Sequence, residues 1–230
     1  MPRADQPMRP RILAAAAAVL RERGFAETTT KEIARAAGVS EGSIYNHFAN
    51  KTDLIAATMA DLTSGIRSAM ARLLGQAGQG TVEDNLTEIA EAQIQFFLDV
   101  LPVVGPTLGD RGLLDWLRSG GPSPAASVPP GPVLGLAGLN AYIEAEQRAG
   151  RVLPSAEPPY LAAALLGACQ QYAFLTLLTK SEVLASVARL PADASDYARG
   201  VVNALLAGHL RVPRRRRDSS SSRLSRAVSG

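Results

Sequence analysis

The chain has 230 residues, of which 47% are hydrophobic and 20% charged, with a formal net charge of +3. That balance is typical of a globular protein with one sizeable core or two small ones, and it excludes a wholly disordered chain. Cys169 is the single cysteine, so an internal disulfide is excluded and a reducing cytoplasm is the expected home.

The charge is unevenly spread. Residues 1–55 hold eight Lys/Arg against six Asp/Glu, residues 56–210 hold nine against fourteen, and residues 211–230 hold seven against one. A basic front and tail around an acidic body suggest that only the ends meet a polyanion.

In chain order, helical periodicity dominates and no segment alternates convincingly as a strand. The first predicted helix spans residues 9–23. Its run Ile12–Leu20 is apolar, but Arg21, Glu22 and Arg23 follow it, so it reads as a helix and not as a signal peptide. Two short helices follow at 30–37 and 41–47, the first opened by a capping box, Thr29-x-x-Glu32. A long helix is predicted over 52–74, with Ile55, Met59, Leu62, Ile66, Met70 and Leu73 forming one apolar stripe. Further helices are predicted over 81–101, 104–118, 132–149, 159–180 and 192–210, giving an all-α fold of about nine helices. No apolar run is expected to reach the roughly 18–20 residues that cross a bilayer. Residues 120–132 read as a loop from their glycine and proline. Residues 211–230, serine-rich and basic, carry too little apolar surface to fold.

The stretch "AAGVSEGSIYNHFANKTDL", Ala36–Leu54, concentrates the hydrogen-bonding side chains. Gly38 permits a sharp turn after the second helix, and Ser40 is placed to cap the third. Ile33 and Ala37, then Ile44 and Phe48, repeat at four residues and point inward with Val39. The opposite face centres on Gly42 and Asn46, flanked by Ser43 and Tyr45. This is the anatomy of a helix-turn-helix, whose second helix fits the DNA major groove. Glu41 either supports the helix start or accepts from a cytosine amine.

The order of residues adds to this. "TTTKEIARAAGVSEGSIYNHFANKTDL", Thr28–Leu54, with its "I-A-x-x-A-G-V-S" turn and "G-S-I-Y-N-H-F", resembles the DNA-binding segment of the TetR (tetracycline repressor) family of bacterial transcription regulators. The resemblance covers about residues 9–55. It implies a three-helix helix-turn-helix DNA-binding domain at 1–51, a helical ligand-binding and dimerisation domain at 52–210, and a basic tail at 211–230. It implies that Thr30 and Lys31 meet phosphate or the groove edge. Gly42 would allow close backbone approach, and Ser43 would donate to phosphate. Tyr45 would use its hydroxyl on phosphate and its ring on sugar or a thymine methyl. Asn46 would read a base edge, His47 would donate to phosphate or bond a helix end, and Lys51 would hold the backbone. The function implied is a ligand-responsive regulator, a homodimer released as a repressor from a near-palindromic double-stranded operator by a small apolar or aromatic effector. The alternative is a helical protein-interaction module that keeps the fold without operator-specific binding.

For the body, the expected effector-lining residues are Phe97, Trp116, Asn140, Tyr142, Cys169, Gln170 and Tyr172, with Gln93 as a further orienting group. Aromatics at helical spacing equally suit a core. The apolar helices near 157–179 and 197–210 suggest a dimer interface through Leu165, Tyr172, Val201, Ala204, Leu205 and Gly208. No metal motif, cofactor loop or catalytic constellation is evident, and Glu88/Glu91 and Glu144/Glu146 read as solvated faces. The chain is therefore not expected to be an enzyme, to hold a cofactor or to associate with a membrane.

Overall fold

The structure is a computed structural model describing residues 7–105 and 131–211. All but the first two residues of the predicted helix at 104–118, most of the loop at 120–132 and nearly all of the basic tail lie outside the described residues.

Among the described residues the fold is all-α. The head comprises α1 (Met8–Glu27), α2 (Thr30–Ala37) and α3 (Glu41–Tyr45), followed by α4 (Lys51–Leu62). The body comprises α5 (Ser64–Gly75), α6 (Val82–Val104), α7 (Gly131–Arg148), α8 (Pro158–Leu178) and α9 (Ala194–Leu206), with a short turn of helix at Ser181–Val183 running into a π-helical turn, Leu184–Ala188, before α9. α6 is the central element and packs against α5, α8 and α9.

The local chemistry explains the head. The capping box forms as expected: Thr29 Oγ1 accepts from the Glu32 amide at 3.2 Å, and Glu32 Oε2 accepts from the Thr29 amide at 3.2 Å. Gly38 ends α2 at φ 65, where the Val39 amide bonds back to Ala34 O and the Gly38 amide to Arg35 O. Ser40 caps α3 and Asn50 caps α4, each accepting from the amide three residues on. Gly24, at φ 73, breaks the helical path of α1, and Thr28 donates to its carbonyl at 2.6 Å.

Two cores result. Ile12, Ala16, Ile33, Ala37, Ile44, Phe48 and Leu54 bury the head. A larger core runs through the body, from Leu73 and Ile89 to Cys169 and Val202. Leu20 of α1, Ile55 of α4 and Val103 of α6 form a third, small cluster joining the two. The Arg21–Asp99 ion pair at 3.3 Å, between half-exposed side chains, lies at the same joint.

Four expectations are corrected. The long fourth helix is two helices divided at Thr63. The Thr63 amide still bonds Met59 O, but the Thr63 hydroxyl reaches Met59 O and Ala60 O and Arg67 also takes Ala60 O, so at the division the Ala60 carbonyl is held by side chains. α6 runs through Pro102 to Val104, although the proline has no N–H to give to the carbonyl of Leu98. α9 stops at Leu206, since Gly208 turns left-handed at φ 79 and Leu210 pairs with Val152 in an isolated antiparallel bridge. α8, at 21 residues and a mean hydropathy of 1.5 over its most apolar window, is long and apolar enough by composition to cross a membrane. In this fold it packs against α6 and α7.

Candidate nucleic-acid interface

α2 and α3 meet at the Gly38 turn, and their outward faces form one surface. Lys31, Gly42, Tyr45, Asn46 and His47 are exposed there, while Ile33, Ala37, Ile44 and Phe48 are buried beneath. Among the described residues, the Lys31 ammonium and the Asn46 carboxamide take part in no internal hydrogen bond, so both are available to a partner. A Cβ built on Gly42 would meet only Ser40 Oγ, at 3.8 Å. The backbone there is open to close approach. Lys51, half-buried, begins α4 at the edge of this surface.

The remaining groups are partly engaged within the chain. Ser43 Oγ lies 2.8 Å from Ser40 Oγ. His47 sits beside Phe48, their ring centroids 6.4 Å apart, and Arg9 lies over the Phe48 ring at 5.2 Å. Thr30 is nearly buried, at 9% exposure. Its hydroxyl donates to Glu41 Oε1 at 2.5 Å and lies 3.3 Å from the Tyr45 hydroxyl. Sequence reasoning left Glu41 with a choice between a helix-start role and a base contact; the structure ties one of its oxygens to Thr30. The signal was faint: Thr30 and Glu41 are the first residues of consecutive helices.

Electrostatics at the edge of the surface favour ionised Glu32. Its carboxyl is held below the usual carboxylate range, first by the Thr29 hydroxyl, then by the Thr29 amide and by Arg23 and Arg35. Arg23 reaches Glu32 Oε1 at 2.7 Å.

Residues 12–58 match the family described as bacterial regulatory proteins, tetR family. This range contains the surface just described. Residues 12–58 thus carry the DNA-binding domain of the TetR family of transcriptional regulators.

The TetR-family relatives agree in extent. The chain is 37% identical over 83 residues to the HTH-type transcriptional regulator BetI of Escherichia coli O17:K52:H18 (strain UMN026 / ExPEC), covering 36% of this chain and 43% of that one. It is 38% identical over 87 residues to BetI of Cronobacter sakazakii (strain ATCC BAA-894), covering 37% and 43%. The match thus spans less than half the length of these relatives. The fold likeness is wider. SmeT, the repressor of the Stenotrophomonas maltophilia multidrug efflux pump SmeDEF, aligns over 90% of this chain and 93% of its own at a TM-score of 0.59 and 18% identity. A SmeT–triclosan complex aligns at a TM-score of 0.61, also at 18% identity, over 90% and 94%.

The body holds the residues expected around an effector in different settings. Phe97, Tyr142, Cys169 and Tyr172 are buried, and Asn140 is half-buried. Trp116 lies outside the described residues. Gln170 is exposed, which corrects its placement as a lining residue: α8 turns it away from the core of the body. Tyr172 is held structurally, its ring stacked 4.1 Å from Tyr197 and its hydroxyl donating toward the carbonyls of Pro191 and Ala192. Burial pushes the Cys169 thiol up to about 12. It also raises Tyr142, with Glu146 reinforcing and the Asn85 hydrogen bond opposing. Gln93 is only 2% exposed, and its Oε1, like Asn140 Oδ1, accepts no hydrogen bond.

The dimer-face expectations divide as well. Leu165 and Tyr172 are buried in the protomer's own core and offer no surface to a partner. Val201 and Leu205 are half-buried against that core. Ala204 is exposed on α9, whereas Gly208 is exposed beyond its end. The exposed apolar face of α8 lies elsewhere, at Tyr160, Phe174, Leu177 and Leu178. Glu146, read from sequence as solvated beside Glu144, is fully buried.

Proposed function

We propose that the chain is a ligand-responsive transcriptional repressor acting as a homodimer on a near-palindromic operator. The observation that carries the reading is the α2–α3 surface: an unpartnered Asn46 amide over a rigid apolar base, within a TetR-family DNA-binding domain. Asn46 reads a base edge, since a carboxamide pairs bidentately with adenine. Lys31, Ser43, His47 and Lys51 hold the phosphates, Gly42 admits the backbone, and Thr30 and Tyr45 line the groove. Residues 1–51 form the reading head, 52–210 the sensing and pairing body, and 211–230 a basic appendage.

Two protomers pair through the outward faces of α8 and α9, where exposed apolar residues and the small side chains of Gly167, Gly200 and Ala204 permit close helix approach. The pairing sets two recognition helices about 34 Å apart, one turn of DNA. The effector enters the body near α6 and α7. SmeT binding triclosan supports a small, largely apolar molecule. The buried oxygens of Gln93 and Asn140 favour a neutral one that offers hydrogen-bond donors. Effector relieves repression by binding the DNA-incompetent arrangement more tightly. The protein works in the cytoplasm and catalyses no reaction.

The test is selection of duplexes from a random-sequence pool, followed by salt titration of the selected site. An inverted repeat should emerge, and affinity should fall by orders of magnitude between about 50 and 200 mM salt. Asn46→Ala should change the selected sequence, while Lys51→Ala should weaken all duplexes alike. Failure to enrich any sequence would favour the protein-interaction reading.

A further inference from the structure

The hydroxyls of Thr30 and Tyr45 are two donors on the proposed DNA face, and their protons can be assigned by counting. An ionised carboxylate only accepts, and each hydroxyl has one proton. Thr30 Oγ1 lies 2.5 Å from Glu41 Oε1, so its proton goes to Glu41. The contact of 3.3 Å between Thr30 Oγ1 and Tyr45 Oη then runs one way, with the phenol donating. The Thr30 proton points to Glu41 and the Tyr45 proton to Thr30. Phosphate oxygens also only accept, so neither hydroxyl can donate to DNA while this relay stands. The first link is short and charge-assisted; the second is long and opens more readily.

We infer that Glu41 is a positioning residue for sequence discrimination. It draws in the Thr30 hydroxyl and, through it, the Tyr45 phenol, and so withholds two donors from phosphates that are the same on every DNA. The exposed Tyr45 ring is thereby fixed for contact with base and sugar edges. Sequence-independent binding is weakened while operator binding is preserved, which widens the ratio between them. Thr30 is nine-tenths buried where α2 meets α3, so the relay also joins the two helices at the surface that meets the groove. This rests on the DNA-binding reading above.

A bare negative charge at position 41 would also weaken binding to all DNA, and the test separates the two. Glu41→Gln removes the charge but keeps an oxygen that accepts from Thr30. Glu41→Ala removes both. Thr30→Val keeps the shape and removes the hydroxyl. Each variant, with melting curves to confirm folding, is titrated against the duplex selected by the wild-type protein and against a mixed-sequence duplex of equal length. The ratio of the two affinities should fall about tenfold in Glu41→Ala and in Thr30→Val, but no more than about twofold in Glu41→Gln, and Glu41→Ala/Thr30→Val should be no worse than either alone. Equal ratios for the Gln and Ala variants, or additive losses in the double variant, would overturn the inference while leaving the regulator reading intact. If the wild-type protein enriches no sequence, the regulator reading fails and takes the inference with it.

Discussion

Arg151→Ala should destabilise the body far more than Glu146→Gln, although both break the same ion pair. Glu146 is 0% exposed on α7, and its Oε1 accepts from the Gly78 amide at 3.1 Å. Its Oε2 lies 2.9 Å from Arg151 Nε, an ion pair without hydrogen-bond alignment. Arg151 is a quarter exposed and also bonds Gln79 O at 3.3 Å, so without Glu146 its charge still reaches water. Removing Arg151 instead leaves a carboxylate buried with no counter-charge, which costs about 3–5 kcal/mol. Glu146→Gln keeps an acceptor for Gly78 and exchanges a charged for a neutral hydrogen bond, at about 1–2 kcal/mol. At roughly 2–4 °C per kcal/mol for a chain of this size, the melting temperature should drop by about 10 °C in the first variant and by a few degrees in the second. The double variant Glu146→Gln/Arg151→Ala should recover part of the loss, because no buried charge remains. Urea unfolding at neutral pH, followed by circular dichroism, measures all three. Equal losses in the two single variants, or a double variant worse than Arg151→Ala, would refute the claim that Glu146 is buried as a charge.

Thr29→Ala removes the α2 cap and should cost about 1 kcal/mol. Because the folded state holds the Glu32 carboxyl below the usual carboxylate range, its contribution is present above that range and is lost as pH falls through the lowered pKa; acid melts of Thr29→Ala should show a shallower loss than wild type. Cys169, raised by burial to about 12, should resist iodoacetamide in the native protein at about pH 8 and react only as urea unfolds the body; stoichiometric native labelling would contradict its burial. Deleting residues 213–230 should preserve operator choice and reduce the salt slope by no more than about one unit. Arg211 bonds back to Arg151 beside Gln79, near the N-terminal end of α6. The head packs on the other end of that helix, about 30 Å away at 1.5 Å per residue. A larger fall in slope would mean that the tail reaches the operator.

The head was legible in the sequence because its determinants are local. A box of Thr29 and Glu32, a glycine at Gly38 and a cap at Ser40 each act within four residues, and each forms in the structure. The Thr30–Glu41 contact was not legible, since it depends on how two helices meet. In the body, periodicity fails where a helix is apolar on most sides: α8 gives no sign that Leu165 faces inward and Gln170 outward. The division at Thr63 is a competition between a hydroxyl and the backbone for the same carbonyls, which an apolar stripe does not reveal. Glu144 and Glu146 look alike in sequence, and only the Gly78 amide and Arg151, brought together by the fold, make the second a buried residue.

Among the described residues, the groups that the body and the reading head share are few. On α4, Leu54 belongs to the head core and Ile55 to the joint, while Met59 packs on both the joint and the body. On α6, Val103 meets Leu20 and Ile55 near one end, and Asp99, one turn earlier, meets Arg21. The surface ion pair is worth little by itself, so the apolar contact at Val103 carries most of the mechanical connection. α5 packs on α6 and α7 but is separated from α4 by the Thr63 break. The C-terminal end of α6 therefore meets α1 and α4 together, and the α2–α3 surface rests on a closed core of its own.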